Sequence, residues 1–175
     1  MTLPEQIVDN GKADRNFRNL DDRLITQERG LGTAWGPSIL TVPTATAATA
    51  DRVYYAQIRM TAAAALTGIQ WVNVTAAGNV AVALYDSTGT RMADVATPVA
   101  VAGTLALQQV PFDDAVTVGP GTYFAAIVFS GTPQQLHVLF SSPCDYAAGP
   151  GSGATLTSIT PPTSPTQTVP LISTY

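Results

Sequence analysis

The sequence predicts a mainly β protein. Its fold class is a jelly-roll-like antiparallel β-sandwich, with a short N-terminal helix before it and an extended arm rich in Pro and Gly after it. Three observations carry this. Eleven of the 20 charged residues (8 basic plus 12 acidic) lie in residues 1–30, so composition changes sharply near Gly30–Gly32. From Ser38 onward, short runs of Val, Ile, Tyr, Phe and Thr alternate with Gly, Pro, Asn and Asp, the pattern of strands and turns. Six prolines between Pro143 and Pro170 then forbid regular helix. The segments expected are a helix for anchoring or oligomerisation (1–32), a sandwich (33–146) and an extended arm (147–175).

In chain order, residues 1–9 read as an extended lead-in. Asp9 or Asn10 can cap a helix that Gly30 stops, a rod of roughly 27 Å. Asp14, Arg18 and Asp22 recur at i, i+4 and i+8 and support one exposed face. With Asn10 at heptad position a, the a residues are Asn10, Phe17, Leu24 and Leu31, and the d residues are Ala13, Leu20 and Gln27. Position e is acidic throughout (Asp14, Asp21, Glu28), and Arg23 falls at g, where a parallel coiled coil would bring it to Glu28 of a second copy. The expected oligomerisation or docking residues are Asn10, Ala13, Phe17, Leu20, Arg23, Leu24 and Glu28, and a homotrimer is the preferred assembly. The alternative is one amphipathic helix lying on its own sandwich, which ordinarily needs a wider apolar face.

Strands are expected near Ile39–Val42, Arg52–Met60, Leu66–Val74, Asn79–Tyr85, Arg91–Ala96, Leu105–Phe112, Thr122–Ser130, Gln135–Phe140 and Ala154–Ile159. "YDSTGT" places Gly89 where a hairpin needs a left-handed residue, and "VGPGTY" suggests a type II turn centred on Pro120 and Gly121. "NVAVALYD" and "TYFAAIVFS" are apolar on both faces, as strands with a close neighbour on each side would be. The final "YAAGPGSGATLTSITPPTSPTQTVPLISTY" reads either as a disordered tail or as an arm packed on the sandwich or on a neighbouring subunit.

Composition limits function. Charged residues are 11% of the chain against about 25% in ordinary soluble proteins, and the net charge of −4 argues against a nucleic-acid surface. No apolar run is long enough to span a membrane, and "MTLPEQIVDN" lacks the pattern of a signal peptide. The single cysteine, Cys144, reads as a partly buried small apolar residue.

The charged segment "DNGKADRNFRNLDDRL", followed by an Ala/Thr/Val-rich sandwich containing "VALYDSTG" and "VGPGTYFAAIVFSG", resembles virion structural proteins of tailed bacteriophages. Minor tail, tail-fibre and head-fibre proteins are the nearest type. The resemblance implies trimerisation or docking on other virion proteins through the helix, a surface-facing sandwich, and location in the virion after synthesis in the host cytoplasm. A capsid decoration role, or a carbohydrate-binding adhesin for host surface glycans, is the alternative.

Catalytic chemistry is not evident. The sole histidine, His137, lies in a strand-like "QLHVLF" and reads as structural. Asp113–Asp114 are sequence neighbours and would point to opposite faces of a strand. Asp86 is better explained by its turn than by calcium. No metal-ligand spacing occurs, and no catalytic residue, metal or cofactor is expected. Tyr54, Tyr55 and Trp71 are the candidate glycan contacts, although aromatic residues on sandwich strands are usually core.

Overall fold

In the computed structural model, which describes residues 43–151 and 153–175, no described residue is helical and twelve strands form. They are β1 (Thr44–Ala47), β2 (Arg52–Met60), β3 (Ala64–Thr75), β4 (Asn79–Tyr85), β5 (Arg91–Asp94) and β6 (Val99–Ala100), then β7 (Ala106–Val118), β8 (Gly121–Phe129), β9 (Gln134–Val138), β10 (Cys144–Ala148), β11 (Val169–Pro170) and β12 (Ile172–Thr174). The expected N-terminal helix and the expected strand Ile39–Val42 lie outside the described residues.

The strands make two antiparallel sheets. One runs β10-β2-β8-β4-β5, with β6 also on β4. The other holds β1, β9, β3, β7, β11 and β12. Cross-strand partners share a face, so the register fixes which residues point inward. Tyr54, Ala56 and Ile58 of β2 face the second sheet together with Ala125 and Ile127 of β8 and Val82 and Leu84 of β4. Two edge-on ring pairs bridge the layers, Tyr54 on His137 at 5.4 Å and Trp71 on Phe129 at 6.0 Å. Burying such side chains contributes about 1.5–3 kcal/mol each.

The other face of the first sheet is buried too. Val53, Tyr55, Ala81, Ala83, Ala126 and Val128 have almost no exposed surface. Their cover is the segment after β10 rather than a third sheet. Leu156 O accepts from Tyr85 Oη at 2.8 Å, and Thr155 Oγ1 accepts from Arg91 at 3.0 Å. Gly153 N donates to Asp51 Oδ1 at 2.8 Å. The small alanines on β4 and β8 make room for this layer. Strand pairing then resumes at the end of the chain. Val169–Pro170 lie along β9, and Ile172–Thr174 lie along β3, in the fork where β9 and β3 part after meeting at Asn73 and Gln135.

Two expectations need correction. Ala154–Ile159 is not a strand. It makes one isolated bridge, Thr90 to Ser158, because its apolar residues serve as a lid over the sheet rather than as a rung in it. "VGPGTY" is not a type II turn either. Gly121 has no left-handed φ and opens β8 as the partner of Met60. The reason is that β7 and β8 belong to different sheets, so Gly119–Pro120 is a corner between layers and not a hairpin tip. Gly89 does adopt φ 86°, and an added Cβ there would strike the Ile159 carbonyl.

The turn before Gly89 is held by Asp86. Its Oδ1 accepts from Thr88 N at 2.8 Å, Thr88 Oγ1 at 2.6 Å and Thr90 N at 3.0 Å. These bonds favour the ionised form and hold the carboxyl below its ordinary pKa, the Thr88 hydroxyl contributing most. Asp86→Ala should lower the melting temperature by about 2–4 °C, the shift expected of one turn-holding cluster in a chain of this size. Asp86→Asn, which keeps the acceptor oxygen, should lower it less. Differential scanning calorimetry of the two variants checks this.

Candidate functional site

Asn10, Ala13, Phe17, Leu20, Arg23, Leu24 and Glu28 all lie outside the described residues. The three glycan candidates are described, and they are core. Tyr54, Tyr55 and Trp71 are 3%, 4% and 1% exposed, so none offers a ring face to a sugar at the surface. Tyr54 Oη accepts from Thr49 N at 2.8 Å, and Tyr55 packs edge-on against Phe124. Asp113 and Asp114 are exposed on β7, where Asp113 Oδ2 accepts from Ala96 N at 2.8 Å. Cys144 is fully buried. Burial raises its thiol pKa, and the thiol donates to Gln167 O at 3.2 Å.

His137 lies inside the sandwich, 5% exposed, with its ring bonded to the Thr168 backbone. Burial holds it neutral by pushing its pKa down to about 4. It belongs to a row of buried polar side chains on the inner face of β3 and β9. Asn73 donates to the carbonyls of Ala102 and Gly103 at 3.0 and 2.9 Å, and it faces Gln135 across the strand pair. Asn73 Oδ1, both amide atoms of Gln135, His137 Nε2 and Trp71 Nε1 have no protein hydrogen-bond partner. Buried groups of this kind ordinarily bond to internal water.

The described residues also line a surface pocket of a different character, with a volume of ≈ 530 Å³. Its lining is Gln57, Arg59, Met60, Thr61, Pro120, Gly121 and Thr122. The sheet builds it directly. Arg59 and Thr122 are cross-strand partners on the outward face of β2 and β8, Gln57 lies two residues along the same face, and the Gly119–Pro120 corner forms one rim. The Gln57 backbone is already satisfied by Pro143 O, to which its N–H donates at 2.9 Å, and by the Ser142 hydroxyl.

The three arginines among the described residues differ in their surroundings. The Arg91 guanidinium pairs with Asp94 at 2.9 Å. The Arg52 guanidinium lies 3.9 Å above the centre of the Tyr146 ring. Arg59 is exposed, and among the described residues its guanidinium has no ion pair, ring contact or hydrogen bond. Sequence reasoning passed over it, and nothing local in the strand, which also holds Arg52, set it apart. Among the described residues, no group of three or more His, Cys, Asp or Glu is placed to hold a metal ion. No family model, curated protein or solved structure matches the chain.

Proposed function

We propose that this chain is a non-enzymatic structural protein of a tailed-phage particle, a tail or fibre component. In this reading its N-terminal segment oligomerises, preferably as a trimer, or docks on other virion proteins, and it displays a jelly-roll-like sandwich at the surface. The observation that carries the reading is the division of the chain. A charge-dense heptad segment precedes a charge-poor sandwich whose described residues bury a core of their own. The buried, neutral state of the sole histidine supports a non-catalytic role. Placement on the head as a decoration or head-fibre protein is the nearest variant of the same reading.

Immunogold labelling of purified particles tests it. Gold at a fixed position on the tail is expected, gold on the capsid moves the protein to the head, and no label on particles removes the virion reading. The assembly half has its own check. Deleting residues 1–30 should leave a folded monomer by light scattering, because the described residues bury a core of their own. A persistent trimer would put the assembly surface on the sandwich itself.

A further inference from the structure

We propose that the Arg59 pocket is a binding site for a carboxylate-bearing sugar, a uronic-acid type of residue in an acidic polysaccharide. The first argument is electrostatic. In a chain of net charge −4, an exposed arginine with no partner among the described residues is a site for an external anion. The other two arginines among the described residues are committed, Arg91 to Asp94 and Arg52 to Tyr146, so among these three only Arg59 lacks a partner.

The second argument is the lining. A guanidinium fork matches a carboxylate through two parallel N–H···O bonds. Around that single cation stand the Gln57 amide and the Thr61 and Thr122 hydroxyls, neutral groups that both donate and accept. This is one charge among several hydroxyl-matching partners, the recognition pattern of an acidic monosaccharide. A doubly charged phosphate would call for more than one converging cation. Pro120 supplies apolar wall for the C–H face of a sugar ring. The volume of ≈ 530 Å³ falls within the range of about 300–1,000 Å³ usual for small-ligand sites. The site differs from the buried aromatic residues that the sequence nominated, and the inference does not rest on the particle reading.

The test is titration calorimetry of the whole protein with tetragalacturonic acid, its fully methyl-esterified form, and inorganic phosphate. Measurable binding of the acid is expected. The ester should bind about tenfold or more weakly, as should the acid to Arg59→Ala, since each removes the charged pair. Arg59→Lys should retain part of the affinity, since it keeps the charge but loses the fork. Arg59 is exposed, so the melting temperature of both variants should match the parent, which separates lost binding from lost folding. Equal binding of acid and ester, unchanged affinity in Arg59→Ala, tighter binding of phosphate, or no binding of the acid would each overturn the proposal. The measurement uses isolated protein, so its failure leaves the labelling experiment unaffected, and the reverse also holds.

Discussion

Removal of residues 169–175 is expected to give a chain that no longer unfolds cooperatively. The deleted strands carry Val169 and Ile172, which are 0% and 4% exposed, and each contributes about 1.5–3 kcal/mol by burial. The deletion also strips backbone partners from the middle of a sheet. Leu171 N donates to Leu136 O at 2.7 Å, Tyr175 N to Gly68 O at 3.2 Å, and Thr67 N to Tyr175 O at 2.7 Å. The Gly68 carbonyl, on a buried residue, is left without a partner at a further cost of ~1–3 kcal/mol, and the half-buried Leu136 carbonyl adds to it. The sum meets or exceeds the low end of the 5–15 kcal/mol, roughly, that holds a domain folded. Near-UV circular dichroism during a urea titration is the measurement. A truncated protein with a sharp transition near the parental midpoint would show that the fork between β3 and β9 closes without its filling.

Acid should destabilise the sandwich well before its carboxylates protonate, and His137 is the cause. The unfolded histidine titrates near pH 6.5, while in the folded chain burial pushes it down to about 4. Between these values the unfolded chain binds more protons, so stability rises with pH and is lost as pH falls from about 6.5 to about 4. The full effect is about 3 kcal/mol at ~1.36 kcal/mol per unit. Below that window this group causes no further loss. Asp86 is shifted in the same direction but from a lower starting value: its contribution is present above its unfolded pKa and is lost only as pH falls through its lowered folded value. Urea midpoints at pH 4.5 and 7.5 should therefore differ strongly in the parent and much less in His137→Gln. Equal slopes in the two proteins would assign the acid sensitivity elsewhere.

The parts of the fold that were legible were those in which local chemistry and tertiary role agree. Arg52–Met60 and Asn79–Tyr85 have the expected bounds because both are apolar runs closed by turn residues. Asp86 and Gly89 mark a hairpin by mechanism, through a side-chain acceptor and a left-handed backbone. Pro120–Gly121 misled because the same dipeptide suits a hairpin tip and a corner between sheets, and only the pairing of β7 and β8 with different partners separates them. Leu156 and Ile159 looked like strand residues because lids need apolar contacts as much as ladders do. The short strands β11 and β12 have too few residues to show a period, and Pro170 counts against a strand. The pocket was invisible for a different reason. Arg59 matters through what it does not touch, and that is a property of the assembled surface.

The place of β11 and β12 also sets the order in which the protein can be made. Synthesis proceeds from the N-terminus, so β3 and β9 emerge early and must wait with unfilled hydrogen-bonding edges until residues 169–174 clear the ribosome. During that interval the nascent chain exposes strand edges of the kind that recruit other chains. The strands that complete the sheet therefore also end the exposure of those edges.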